Sequence, residues 1–137
     1  MIIHSESEMI AFGEQLAKDI IPPATIELIG DIGVGKTTLV KGLAKGLGIT
    51  DDVTSPSFVI SKTYRDVKNS TTLTHFDFYR LSDPGIMQSE LSESIEAPST
   101  ITVIEWAEAV KNVLPKNRIT ITINYNDDGN RTIRATK

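Results

Sequence analysis

The alternation of apolar and polar residues divides the chain into short strands and amphipathic helices. Ile2-Ile3-His4 reads as a short edge strand. Met9, Phe12, Leu16, Ala17 and Ile20 recur at helical spacing, behind a capping box at Ser5-Glu6-Ser7-Glu8 and ahead of Pro22-Pro23, which ends the helix. Ala24 to Ile29 is strand-like. Leu39, Val40, Leu43, Ala44 and Leu47 line one face of a second helix that runs from Lys36 to Leu47. Gly42 and Gly46 predict that this helix lies close against a sheet, and Gly48 predicts its C-cap. Residues 50–57 form a polar loop. Phe58 to Tyr64 and Leu73 to Tyr79 alternate as two strands joined by a polar turn near Lys68-Asn69-Ser70. Residues 83–99 read as helical or irregular, broken by Pro84-Gly85 and Pro98. Ile101 to Ile104 is a strand of the buried type, and Arg118 to Tyr125 with Arg131 to Ala135 forms a closing hairpin. Strands outnumber helices, and several are close in sequence. The pattern predicts an α/β fold, a mixed sheet flanked by helices, with antiparallel hairpins.

Between the strand at Ala24–Ile29 and the helix that follows, Gly30 to Thr37 reads Gly-Asp-Ile-Gly-Val-Gly-Lys-Thr, a complete G-x-x-x-x-G-K-[ST] phosphate loop. The sheet is then parallel around this loop, and the fold becomes P-loop NTPase-like, with residues 1–137 as a single domain. A phosphate chain carries several negative charges that must be held without water. Gly33 and Gly35 let successive N–H groups turn inward where side chains would obstruct them. The helix behind them adds its free N–H groups and the positive end of its dipole. Lys36 supplies an ammonium for the β- and γ-phosphates, and the Thr37 hydroxyl is placed for Mg²⁺. The candidate nucleotide-binding set is Gly30, Asp31, Gly33, Val34, Gly35, Lys36, Thr37 and Thr38.

Such a loop needs an acid at the end of a neighbouring apolar strand to serve the metal or the attacking water. Glu105, directly after Ile101–Ile104, fits best, since ligands sit at the carboxyl ends of open α/β sheets. Asp77 lies among aromatic residues in Thr74-His75-Phe76-Asp77-Phe78-Tyr79-Arg80 and needs a partner or a metal. An ion pair with Arg80 is the other reading of it. Lys36, Asp77 and Glu105 are thus the candidate catalytic residues, and Thr37, Asp77 and Glu105 the candidate metal ligands. His75 reads as a satisfied, partly buried histidine, and Glu108 as a solvated helix residue. Thr54-Ser55-Pro56 offers two hydroxyls before a rigid proline, a candidate nucleotide-sensing loop.

Composition narrows the class. The 137 residues carry a formal net charge of −4 and no cysteine. The acidic balance argues against tight nucleic-acid binding by this chain alone, and disulfides and thiolate chemistry are excluded. No apolar run is long enough for a membrane span, and no signal peptide is evident, so a cytoplasmic protein is expected. A GTPase would carry Asp-x-x-Gly and Asn-Lys-x-Asp; neither occurs. A small-molecule kinase on the same loop needs arginines to clamp the moving phosphoryl group. The arginines are Arg65, Arg80, Arg118, Arg131 and Arg134, with no arginine-rich lid.

The order of the blocks is more specific than the loop. After Gly30–Thr38 come Thr54-Ser55-Pro56-Ser57-Phe58, His75-Phe76-Asp77-Phe78-Tyr79-Arg80-Leu81 and Ile104-Glu105-Trp106-Ala107-Glu108. Over nearly its whole length the chain resembles the TsaE family, ATPases of bacterial tRNA threonylcarbamoyladenosine biosynthesis. The resemblance implies a compact P-loop fold that binds Mg·ATP and works with TsaD and TsaB to form N6-threonylcarbamoyladenosine in tRNAs that read codons beginning with A. TsaC supplies the threonylcarbamoyl adenylate, and the ATP cycle supports repeated turnover of the TsaB–TsaD complex. It implies contact with tRNA only through that complex. By motif match, Lys36, Thr37 and Thr38 bind phosphates, Thr37 and Glu105 serve magnesium, and Asp77 supports water activation or the magnesium shell. Arg131 matches a family position near the nucleotide, and residues around Ser5 to Ser7 a segment near the adenine.

Overall fold

A computed structural model describes residues 1–56, 60–66, 68, 70–79, 83 and 85–136. Its elements are β1 (Ile2–Ile3), α1 (Glu6–Asp19), β2 (Ala24–Ile29), α2 (Lys36–Gly46), β3 (Ser61–Asp66), β4 (Thr71–Asp77), α3 (Ile86–Glu96), β5 (Thr100–Glu105), a 3₁₀ helix at Ala107–Val113, β6 (Ile119–Tyr125) and β7 (Arg131–Thr136). The strands form one seven-stranded sheet in the order β1-β7-β6-β2-β5-β4-β3. The centre is parallel: β2 pairs with β5 and β6, and β5 with β4. The edges are antiparallel, β3 with β4 and β6 with β7, and β1 closes on β7. This is the mixed α/β sheet that the sequence pattern predicts.

The period of two in the strands sorts their side chains onto two faces. Ile26, Leu28, Leu73, Ile101, Val103, Ile121 and Ile123 pack against Leu39, Val40, Leu43 and Ala44 of α2 and Met9 and Ala17 of α1. Phe76, Phe78 and Ile104 point the other way, toward Leu91 of α3 and Val110 of the 3₁₀ helix. Each fully buried Leu, Ile or Phe contributes about 1.5–3 kcal/mol, so both faces are held mainly by apolar burial.

Local signals act largely as predicted. The Ser5 hydroxyl accepts from the Glu8 N–H at 3.1 Å, capping α1. The return bond of the capping box is displaced by one residue: Glu8 takes the His4 N–H, at 3.4 Å. At the end of α2, Gly48 is left-handed at φ 85°, while Gly48 N–H reaches Lys45 O and Ile49 N–H reaches Ala44 O. Those two bonds are a Schellman C-cap.

The glycines of α2 serve a different contact from the one expected. They face α1 and not the sheet. A Cβ on Gly42 would lie 2.2 Å from the Ile10 carbonyl oxygen, and one on Gly46 2.7 Å from the Ala17 Cβ. Gly13 of α1 reciprocates, with 2.4 Å from its built Cβ to the Leu39 oxygen. The two helices therefore cross backbone to backbone, and α1 clamps the helix that begins at the phosphate loop. The strand expected to begin at Phe58 is seen from Ser61; Ser57, Phe58, Arg80 and Leu81 lie outside the described residues.

Candidate active site

The carboxyl ends of β2, β4 and β5 meet at one cavity of about 690 Å³, lined by Ile32, Gly33, Gly35, Lys36, Thr37, Thr38, Ser55, Asp77, Tyr79, Glu105 and Trp106. Strand register explains the convergence. Asp77 lies opposite Glu105, and Glu105 opposite Leu28, two residues before the loop begins. Loop, lysine, hydroxyls and both carboxylates, distant in sequence, are thus brought to one sheet edge.

The loop itself is preorganised. Gly35 caps α2 at φ 116°, a left-handed conformation that favours glycine, with no side-chain cap on the helix. The first-turn N–H groups of α2 are therefore left to face the cavity beside Thr37 and Thr38. The back of the loop is held from across the sheet. The Tyr125 hydroxyl donates to the Gly33 carbonyl at 2.8 Å, and Arg131 Nε donates to the Val34 carbonyl at 3.1 Å. The Arg131 guanidinium also sits 4.8 Å from the centre of the Tyr125 ring.

Lys36 is only 6 % exposed. Its ammonium donates to the Gly30 carbonyl, lies 3.6 Å from Glu105 Oε1 and stands 4.4 Å from the centre of the Trp106 ring. Trp106 reaches that position through a left-handed backbone at φ 56°, ψ 53°. For a residue with a bulky side chain this conformation costs on the order of 1–3 kcal/mol, a strain of the kind that gathers at functional sites. Tyr79 packs on Trp106, with ring centres 4.8 Å apart. The other oxygen of Glu105, Oε2, is 2.5 Å from His75 Nε2. Asp77 accepts from the Tyr79 N–H at 2.9 Å.

The remaining candidate residues divide. Gly30 offers its carbonyl to Lys36, the Asp31 backbone carbonyl accepts from the Val34 N–H at 3.2 Å, and the Val34 side chain is buried in the core. These three shape the loop and do not line the cavity. Ser55 lines it, whereas the Thr54 hydroxyl accepts from Lys62 and the Thr54 N–H donates to the Tyr64 hydroxyl at 3.3 Å. Arg131 sits behind the loop. The alternative pairing of Asp77 with Arg80 lies outside the described residues. His75 is fully buried, deeper than the sequence reading placed it. Tyr79, Trp106 and Tyr125 were missed as site residues. An aromatic residue one or two positions after each acid was the available signal for the first two, and none exists for Tyr125, whose partner is 92 positions away.

Two carboxylates and a hydroxyl around a phosphate loop suit a magnesium ion. Among the described residues no group of three His, Cys, Asp or Glu side chains could hold a metal alone.

The family model for "Threonylcarbamoyl adenosine biosynthesis protein TsaE" matches residues 3–133. The chain belongs to the TsaE family. A TsaE of Bacillus subtilis is 40 % identical over 118 residues, covering 84 % of this chain and 70 % of that one. A TsaE of Haemophilus influenzae is 33 % identical over 131 residues, covering 92 % of this chain and 82 % of its own. Both are named as tRNA threonylcarbamoyladenosine biosynthesis proteins. The crystal structure of Bacillus subtilis YdiB superposes with a TM-score of 0.79 at 33 % identity, covering 97 % of this chain and 80 % of that one. No helix among the described residues is long and apolar enough to cross a membrane.

Proposed function

We propose that the chain binds Mg·ATP in this cavity and hydrolyses it in support of N6-threonylcarbamoyladenosine formation on tRNA, acting on the TsaB–TsaD complex. The observation that carries the reading is the meeting of Lys36, Thr37, Asp77 and Glu105 at one cavity mouth. Its volume falls within the range of about 300–1,000 Å³ typical of small-molecule sites. In this reading the first-turn N–H groups of α2 and the Lys36 ammonium bind the β- and γ-phosphates, and Thr38 donates to a phosphate nearer the nucleoside. Thr37 with Glu105 and Asp77 would hold magnesium, which supplies charge neutralisation on the phosphate oxygens. Glu105 and Asp77 also face the space where a water would approach the terminal phosphate, and one of them orients it. Ser55, at the cavity wall, senses that phosphate. Trp106 and Tyr79 form the apolar rim that limits water entry.

The competing reading is a small P-loop kinase. Phosphoryl transfer to a small acceptor calls for cationic clamps, and among the described residues no arginine lines the cavity. The fate of the γ-phosphate separates the two. With ATP, magnesium and the TsaB–TsaD complex, the chain is expected to release inorganic phosphate in step with ADP. Phosphorylation of a small-molecule acceptor in place of phosphate release would favour the kinase.

A further inference from the structure

We propose that His75 is a positioning residue for Glu105: its ring fixes one carboxylate oxygen and thereby aims the other at the phosphate end of the cavity. The inference rests on the hydrolytic reading of Glu105 given above and adds a residue that this reading does not use.

Three observations carry it. First, register: His75 lies opposite Val103 on adjacent parallel strands, which makes it the diagonal same-face neighbour of Glu105. Second, the contact: Nε2 and Oε2 are 2.5 Å apart, with His75 fully buried and the Glu105 side chain 5 % exposed. Third, the far side of the ring: Nδ1 is buried and has no hydrogen-bond partner among the described residues. A carboxylate only accepts, so the proton of this contact sits on Nε2. Leu73 on the same strand and Val103 across from it are apolar neighbours, while Lys62 pairs with His75 from β3 and Asp77 follows on the same face of β4. An aliphatic side chain would fill that space, so packing alone does not call for a histidine.

The consequence for Glu105 is a division of labour between its oxygens. Oε2 belongs to His75, and Oε1 faces Lys36 at 3.6 Å. A glutamate held at one oxygen cannot rotate to close a symmetric, bidentate pair with the lysine. It stays available to a ligand that draws Lys36 away.

The test compares His75→Leu, which keeps volume without a donor, with His75→Gln, which keeps an amide donor at similar reach. Glu105→Ala is the reference. Calorimetry measures ADP affinity with and without magnesium, and single-turnover hydrolysis is followed with TsaB–TsaD. His75→Leu should leave magnesium-free affinity near wild type. It should lower the magnesium-dependent gain and the hydrolysis rate by about 10–100-fold, the scale of partners that orient metal ligands. His75→Gln should recover most of both. A folded His75→Leu with wild-type values, or a Gln variant as defective as Leu, overturns the inference. If Glu105→Ala is also silent, the hydrolytic reading of Glu105 fails; if it alone is defective, only the role of His75 fails. Nitrogen NMR of the wild-type histidine ring needs no variant of His75 and no nucleotide. It should show the proton on Nε2, with a resonance that moves in Glu105→Gln. A ring protonated on Nδ1 and not on Nε2 overturns the proposal.

Discussion

Two buried glutamates on neighbouring strands of the same sheet are paired in different ways, and the contrast separates a structural ion pair from a working one. Glu27 on β2 meets Arg118 at 2.8 Å, and the same guanidinium donates to the Pro115 carbonyl at 3.1 Å. That pair fixes the start of the closing hairpin to the central strand and leaves the arginine committed. Glu105 on β5 meets Lys36 at a looser 3.6 Å, while the lysine is shared among a carbonyl, a carboxylate and an aromatic face. A planar fork suits a permanent contact; a single ammonium on a flexible stem suits one that a phosphate can replace. The second pair opens onto the cavity formed with the phosphate loop, and the first does not.

Predictions that would break or sharpen this contrast run from large to small. Lys36→Ala removes the ammonium that the proposed function places on the phosphates. ATP affinity by calorimetry should fall by at least about hundredfold, near 3 kcal/mol, as two charge-assisted bonds are lost. The substitution also leaves the buried Glu105 with His75 as its remaining partner, so stability should fall as well and affinity is read on a variant shown to be folded; a folded variant that binds ATP as the wild type does would make Lys36 structural. Glu105→Ala should lower hydrolysis by about hundredfold, the low end for a positioned acid or base, with a much smaller loss in nucleotide affinity. Equal losses in both would place Glu105 in binding alone.

Arg118→Ala should show the reverse. Removing one partner of a buried pair costs about 3–5 kcal/mol, and the 22 % exposure of Arg118 reduces that to about 2 kcal/mol in denaturant unfolding. Nucleotide affinity should stay at wild type, and a fall would couple the two pairs. Tyr125→Phe deletes the hydrogen bond to the Gly33 carbonyl, worth about 1 kcal/mol, together with the long 3.4 Å contact from Arg131 Nη2. A drop of about threefold in ATP affinity is expected, and none at all would make that contact incidental.

Most of the scaffold was legible in the chain because its signals are local. Period-two runs mark β2, β4 and β5, helical spacing marks α1 and α2, and the loop's glycines and lysine state their own chemistry. Glu105 could be picked out because it ends an apolar strand, and Asp77 because a carboxylate among aromatic residues needs a partner; the sheet joins them in register. What stayed hidden depends on distant partners. Gly42 and Gly46 announce a close approach, but spacing alone cannot say that α1 and not the sheet makes it. Tyr125 and Arg131 act on the loop from across the sheet, a contact that only strand order creates. The bond between His75 and Glu105 needs the parallel register of β4 and β5, which no pattern within either strand specifies.

The most direct test of the account counts products. The chain, ATP, TsaB, TsaD and the adenylate-forming enzyme are combined with tRNA, and modified adenosines are measured per TsaD. Several per complex are predicted with hydrolysable ATP and the wild-type chain, and about one with a non-hydrolysable analogue or with Lys36→Ala. Repeated modification without this chain, or with the analogue, would contradict the central claim that hydrolysis in this cavity supports turnover.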